Sequence, residues 1–469
     1  MTGILAYGAY VPHHRLRREA IAQTLGSRAG GGTRAVAAYD EDSTTLGVEA
    51  ARQAGRADVT AARLLFATAT PAYLDKTNAT AIHSALGLPS SAIALDAGGA
   101  LRSGVGALLT ALQGGPPTLV VTSDVRTGRP GSDEEAGGGD AAAALLVGDG
   151  EAVLAEFVGS ASATAELMDR WRLPGETTSR VWEERFGASV YAPLVEEAVT
   201  AAMKECGLTL DEVDHVVVAG THARAVRQAK ALAGDKLVDD LAAVVGNPGT
   251  AQAGLILASL LDQADPGRTI ALVSLADGVD VIVLRTTNAI AQHTPVVPVA
   301  GQIAAGRDDL DYASFLTWRG FLDRQGPRRP DPTRIAAPPS FRNRQWKFGF
   351  VGSRDESSGA IHLPPQRVSF QGQAVDEMEP IALAEVKGTV ATFTTDHLAW
   401  SPSPPTIVGV IDFDGGGRYM AEIADTDQVA IGDRVEMTFR RIYTAEGVHN
   451  YFWKARPVRA GASDQSERS

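Results

Sequence analysis

The chain has 469 residues, 44% hydrophobic and 21% charged, enough to bury a large core. A net charge of -13 argues against a nucleic-acid groove as its main business. A single cysteine, Cys206, excludes an intrachain disulfide and a cysteine-based metal site. No apolar run approaches a membrane span and the N-terminus does not read as a secretory signal, so a cytoplasmic protein is expected.

In chain order, Gly3–Val11 alternates as a first strand, and Arg15–Leu25 reads as a short helix. The stretch 40–55 opens on capping-type acids, continues as a helix and stops at its final glycine. Arg63–Thr68 is a strand. Ala92–Leu95 reads as a buried strand, Asp96 with Gly98 and Gly99 as a tight turn, and Ser103–Leu112 as a helix. Such a strand–turn–helix holds one residue on a sharp bend against the positive end of a helix dipole, here Leu101 or a close neighbour. Pro117–Thr122 and Ala141–Val147 are strands around a long polar loop, in which Asp133–Glu135 reads as solvated. From about Glu166 the alternation restarts: helix Tyr191–Cys206, strand His215–Ala219, helix Arg224–Ala233, helix Gly254–Asp265, and strands Thr269–Ser274 and Val279–Leu284. This alternation predicts an α/β layered fold. Tyr312–Arg329 reads as an amphipathic helix before a Pro-rich boundary. Beyond it, VKGTVATFTTD, TIVGVIDFD, RYMAEIAD, DRVEMTFRRIY and HNYFWKARPV read as five short strands of a small β-barrel.

The elbow GGALRSGVGAL resembles the nucleophile elbow of the thiolase superfamily, in its 3-hydroxy-3-methylglutaryl-CoA synthase and type III 3-oxoacyl-carrier-protein synthase branch. FATATPAYLDKTNATAIHSALGL, SDVRTGRPGSDEEAGGGDAAAALLVGD, VVVAGTHARA and GNPGTAQAGLILASLLD are similar to that family in the expected order and spacing. The C-terminal region resembles the OB-fold proteins that accompany thiolases, which usually carry a rubredoxin-like zinc ribbon. The resemblance implies a five-layered α/β thiolase-like fold of two pseudo-symmetric halves followed by an OB-fold barrel. The expected division is 1–160 and 161–290 for the two halves, 291–342 for a linker with its helix, 343–372 for a degenerate zinc ribbon, 373–459 for the barrel and 460–469 for a disordered tail.

What the resemblance implies for chemistry is mixed. His222, in GTHARA, matches the histidine that polarises a thioester carbonyl, and Asn247, in GNPGT, the asparagine that shares its oxyanion hole. Leu101 stands where the family has its acyl-accepting cysteine, and leucine has no nucleophilic atom. Ala69 stands where the hydroxymethylglutaryl-CoA synthases have a general-base glutamate. Leu101 and Ser103 are therefore placed at the substrate, with Ser103, one turn along the helix, aimed away from the nucleophile's place. Cys206 reads as an inert buried thiol. Aligned on the zinc-ribbon frame, the four cysteine positions hold Asp355, Ser358, Ser369 and Gly372, a set that supplies no thiolate, so no zinc is expected. Gly415–Gly417 reads as a hairpin turn, and Phe348, Phe350, Tyr451, Phe452 and Trp453 as packing residues. The resemblance implies a coenzyme A thioester as substrate, with no bound cofactor. It implies an acyl-CoA or acyl-carrier protein as partner, in a homodimer or a heteromer with a thiolase-like protein, without nucleic acid or membrane. Two readings stand: an acyltransferase or carbon–carbon bond forming or cleaving enzyme that works without the cysteine, and a non-catalytic partner subunit.

Overall fold

A computed structural model of the chain describes residues 1–26, 30–55, 59–182, 184–328, 330, 332–373 and 375–459. The tail expected to be disordered, 460–469, lies outside the described residues. A nine-stranded sheet organises the body. Its N-terminal part holds β1 (Thr2–Tyr10), β2 (Arg63–Ala67), β3 (Ile93–Asp96), β4 (Thr118–Asp124) and β5 (Ala141–Asp149). Its C-terminal part holds β6 (Ala155–Thr164), β7 (His215–Gly220), β8 (Thr269–Leu275) and β9 (Gly278–Thr286). The spatial order is β7-β8-β9-β6-β1-β5-β4-β2-β3. Within the sheet, among the described residues, the two parts meet where Gly3 and Ile4 pair with Glu156 and Ala155.

Five helices cover and separate these parts: α1 (Ser43–Gln53), α2 (Arg102–Leu112), α3 (Glu184–Cys206), α4 (Ala223–Ala233) and α5 (Gln252–Leu261). Strand alternation decides which core each side chain enters. In β4, Leu119 and Val121 pack with Leu46 and Val48 of α1, whereas Val120 packs with Val105 of α2 and Leu255 of α5. In β8, Ile270 and Leu272 join that same central core, whereas Ala271 and Val273 pack against Tyr191 of α3 and Val226 of α4. The result is helix, sheet, helix, sheet, helix. The central helix α5 is buried along nearly its whole length, as a layer between two sheets requires. At α1, Asp42 accepts from the amides of Thr44 and Thr45 at 3.0 Å each while Thr45 Oγ1 accepts from the Asp42 amide, a full capping box.

The C-terminal region closes a barrel from β10 (Gly388–Asp396), β11 (Thr406–Phe413), β12 (Arg418–Ile423), β13 (Arg434–Ala445) and β14 (Val448–Pro457). All five expected strands are present. Gly415–Gly417 form the β11–β12 turn, each with φ between 79° and 112°, where a side chain would be strained. Phe350, Phe413, Phe439, Tyr451 and Trp453 fill the barrel core, which is continuous with the α1 core of the body. Trp453 Nε1 donates to the Phe348 carbonyl at 2.8 Å.

Ions seal the seam between barrel and body. Arg440, fully buried, lies 3.2 Å from Asp40, 3.1 Å from Glu41 and 2.8 Å from Asp425. Lys454 lies 2.9 Å from Asp40, and Arg456 2.8 Å from Glu49. The acids Asp40, Glu41 and Glu49 come from the body and the cations from β13 and β14.

Several expectations need correction. The strand at 92–96 exists, but it is the sheet's edge, with Ile93 and Leu95 half exposed rather than buried; an apolar run does not reveal whether a neighbouring strand covers it. The segment 15–25 begins as a strand, His14–Arg17, paired with Thr33–Val36, before its helix. The amphipathic helix spans only Tyr312–Trp318, where Arg319 caps it and Gly320 takes φ 75°. No helix among the described residues is long and apolar enough to cross a membrane.

Candidate active site at the elbow

The elbow forms as its sequence predicts. β3 ends at Asp96, whose carboxylate accepts from the amides of Asn78 and Ala79 at 2.7 and 2.8 Å, and α2 starts after Leu101. Arg102 pins the start of α2 to the C-terminal half. Its guanidinium makes two bonds to Asp280, at 2.8 and 2.9 Å, and further bonds to the Asp277 carbonyl and Thr164.

Leu101 meets two polar side chains at Gly249. A Cβ built on Gly249 would lie 2.3 Å from Asp124 Oδ2, 3.1 Å from Arg126 Nη1 and 3.1 Å from Leu101 Cδ2, and Gly249 also holds φ 59°. Only glycine fits there. Asp124 is the centre of this arrangement. It is fully buried and accepts from Thr68 Oγ1 at 2.9 Å, the Ala69 amide at 2.7 Å and the Thr250 amide at 2.8 Å. The structure thus gathers Ala69, Leu101 and the Asn247–Thr250 loop around one carboxylate. Sequence reasoning passed over Asp124; the signal available was an acid ending an apolar strand beside a Gly-rich loop. Ser103 sits differently: its hydroxyl lies over Gly98 in the turn, where a Cβ would stand 2.5 Å away.

His222 caps α4. Its Nδ1 accepts from the Ala225 amide at 3.2 Å, which leaves the proton on Nε2. Nε2 is buried and has no hydrogen-bond partner among the described residues. The ring packs 5.5 Å from Tyr191, centroid to centroid, and beneath Gly187, where a Cβ would stand 2.3 Å from Nε2. Asn247 lies nearby through the chain: its Nδ2 donates to the Gly220 carbonyl at 2.7 Å and its Oδ1 accepts from Gly249 at 2.9 Å. The amide therefore ties the strand that leads to His222 to the loop that reaches Leu101, with one amide hydrogen left over.

Asn247, Gln252, Gly220 and Thr221 line a cleft of about 790 Å³ together with Arg126 and Glu134. The stretch Asp133–Glu135, expected as a solvated loop, starts a short helix (Asp133–Gly137) in which Asp133 is exposed, Glu134 half-buried and Glu135 buried. Glu134 bridges Arg126 and Arg170, and Arg172 donates to the Ala69 carbonyl. Burial alone would raise the Glu134 carboxyl, but Arg126 and Arg170 hold it down to about 2. Glu135 accepts from the Tyr312 hydroxyl at 3.0 and 3.1 Å. Arg126, Arg170 and Arg172 thus stand around the approach to Ala69, balanced in part by Glu134 and Asp124. Cys206 is half buried, next to Gly159, and burial pushes its thiol up, which keeps it protonated and unreactive.

The four ribbon positions converge as the alignment implied. Asp355 accepts from Ser357 Oγ at 2.8 Å and Ser358 Oγ at 2.5 Å, and Ser369 also bonds it. A Cβ on Gly372 would lie 2.7 Å from Asp355 Oδ2, and the Gly372 amide donates to Ser369 Oγ at 3.2 Å. These hydroxyls hold the Asp355 carboxyl well below its ordinary range. A hydrogen-bonded knot thus stands where a tetrahedral thiolate site would be. Among the described residues no cluster of histidine, cysteine and acids is disposed to hold a metal.

Comparison with known proteins agrees with this architecture. A family model for the C-terminal OB-fold domain of ChsH2 matches residues 381–440. The hydroxymethylglutaryl-CoA synthase of Aeropyrum pernix is 30% identical over 343 residues, covering 68% of this chain and 94% of that protein. That of Thermococcus onnurineus is 29% identical over 334 residues, covering 68% and 95%. Among solved structures, HMG-CoA synthase complexed with CoA superposes with a TM-score of 0.61 at 18% identity, over 71% of this chain and 94% of that one. The 3-oxoacyl-[acyl-carrier-protein] synthase III of Aquifex aeolicus gives 0.53 at 18% identity, over 61% and 100%. The curacin-pathway HMG synthase in complex with acetyl donor-ACP gives 0.58 at 18%, over 68% and 88%. With the five-layered body, the elbow and the closed barrel in place, the chain belongs to the hydroxymethylglutaryl-CoA synthase family of the thiolase superfamily, fused to an OB-fold domain.

Proposed function

We propose that the protein binds an acyl-CoA or acyl-carrier-protein thioester and acts on it without a cysteine-bound intermediate. His222 donates its Nε2 proton to the thioester oxygen, and Asn247 adds its free amide hydrogen, as charge develops on an oxyanion or enolate. Acyl transfer then uses an external nucleophile and expels the thiol; carbon–carbon cleavage of a 3-hydroxyacyl thioester passes the bonding pair to the enolate while the hydroxyl proton goes to solvent, and bond formation is its reverse. The observation that carries this reading is the buried, unpartnered Nε2 of His222. A buried donor left unpaired is costly, and a ligand carbonyl would satisfy it. The relatives whose complexes contain CoA and an acyl-carrier protein support the substrate class.

A second reading is a non-catalytic subunit that pairs with an active thiolase-like protein. It is favoured by the absence of a nucleophile at Leu101, of a carboxylate at Ala69, and by the ion-paired arginines that occupy the cleft. One experiment separates the two: release of free CoA thiol from a panel of acyl-CoAs, with the wild type and the His222→Ala variant. The enzymatic reading expects turnover that falls by roughly 100-fold in the variant, the size of one lost oxyanion donor. Thiol release by neither protein removes the autonomous enzyme. Co-purification of an active thiolase then becomes the next measurement.

A further inference from the structure

A second cavity, of about 640 Å³, opens between body and barrel, apart from the cleft at Asn247. Its volume is that of a small-molecule site. Tyr73, Lys76 and Asn78 come from the body, Lys347 and Phe348 from the helical segment Arg344–Gly349, and His449 and Tyr451 from β14. Tyr73, Phe348 and Tyr451 give the walls three aromatic rings. Tyr73 and His449 lie 4.9 Å apart, with the Tyr73 hydroxyl accepting from the His449 amide at 2.7 Å.

The charge balance in this cavity is one-sided. Lys347 has no carboxylate within 4 Å among the described residues; its ammonium lies 5.5 Å from the Phe348 ring centroid. Lys76 bonds only the Thr77 carbonyl and Thr80 Oγ1, at 3.1 and 3.2 Å. The nearby acids are charged and hydrogen-bonded to neutral donors, and neither lines the cavity. Asp42 accepts from the Tyr451 hydroxyl and the two cap amides, and Asp96 from Asn78 and Ala79. Arg334 on the rim lies 3.5 Å from Glu446. Burial lowers the Lys347 amine to about 8, and lowers that of Lys76 against the opposing pull of Asp96. Burial also lowers the pKa of His449, so the imidazole adds no charge at neutral pH. Two lysines, Lys347 half-buried and Lys76 exposed, on an otherwise largely apolar lining are complementary to an acid group carried on an apolar body.

We infer that this inter-domain cavity is a binding site for a small organic anion. Its acid group pairs with Lys76 and Lys347, and its apolar body lies against Phe348 and Tyr451. The inference is independent of the role of His222. Carboxylate and phosphate are both compatible with two lysines, so the test uses one of each on a suitable body. The full chain is titrated calorimetrically with octanoate and with adenosine monophosphate. The proteins are the wild type, Lys76→Met, Lys347→Met and His222→Ala, each first shown by thermal unfolding to be folded. The expected result is one site per chain for at least one anion, with a Kd below about 1 mM. Affinity falls roughly tenfold or more in each lysine variant and is unchanged in His222→Ala. Binding of octanoate assigns an acyl carboxylate, and binding of the nucleotide a phosphate. Saturation by neither anion, affinity indifferent to both lysines, or affinity lost equally in His222→Ala would each overturn the inference.

Discussion

Glu49 offers the sharpest test of how barrel and body are held together. It projects from α1 and is 1% exposed. Its Oε1 accepts from the Phe439 amide of the barrel at 3.0 Å and from Arg52 at 2.9 Å. Its Oε2 lies 2.8 Å from Arg456, an ion pair not aligned as a directed hydrogen bond. Burial opposes ionisation of this carboxyl, but Arg456, Arg52 and the Phe439 amide outweigh it and hold the group at about 2 against an ordinary 4.5. That difference is worth about 3 kcal/mol at neutral pH. The folded-state pKa is depressed, so the contribution is complete above the unfolded value of 4.5 and fades as pH falls towards 2. Glu49→Gln keeps the volume and one acceptor and removes the charge. We expect it to lose about 3 kcal/mol of unfolding free energy at pH 7, and about 2 kcal/mol relative to wild type at pH 3.5, measured by urea titration. A loss below about 1 kcal/mol, or one that does not change with pH, would refute the reasoning, because it would mean the ion pairs merely recover their own desolvation.

Gly187→Ala should place a methyl group against His222 Nε2, turn the ring away and reduce any His222-dependent thioester turnover by at least roughly tenfold, while circular dichroism stays native. Arg102→Ala strands the buried Asp280 and should lower stability by roughly 2–4 kcal/mol in denaturant titration. Arg102→Lys should recover only part of this, because lysine cannot make both bonds. Replacing Asp355, Ser358, Ser369 and Gly372 together by cysteine should create a site that takes up one zinc per chain in a colorimetric metal assay, whereas the natural sequence takes up none there.

Much of this was legible in the chain because periodicity and motif order carry it. The apolar runs in PTLVVT and TIALVS read as strands, and in the fold each face of them enters a different core. The five barrel strands follow from their turns. What was not legible depends on neighbours distant in sequence. Nothing in IALDAGGALRSG says that Ile93 and Leu95 lie on an uncovered edge. Nothing in SDEEAG says that Glu134 will find Arg126 and Arg170, or that Glu135 will be roofed by Tyr312 from a helix far along the chain. Charged residues in a Gly-rich loop are ordinarily solvated, and only the tertiary fold supplies the arginines that make their burial affordable.

The elbow shows why the scaffold outlasts its chemistry. The bonds that shape the bend do not involve the side chain of Leu101. They run from Arg102 to Asp280, from Asp96 to Asn78 and Ala79, and from Asp124 to Ala69 and Thr250. A leucine can therefore occupy the bend without unravelling it. The zinc ribbon follows the same logic, with Asp355 and its serines bonding one another where thiolates and a metal would otherwise hold the turns. His222 is different. A structural replacement would have satisfied its Nε2 as Asp355 satisfies Ser358, and instead Nε2 is left buried and unpaired beside Gly187. Other buried polar atoms, Ser123 Oγ and His362 Nε2 among them, are also without a partner among the described residues, so the proposed pairing of Nε2 with an acyl oxygen rests on the His222→Ala comparison.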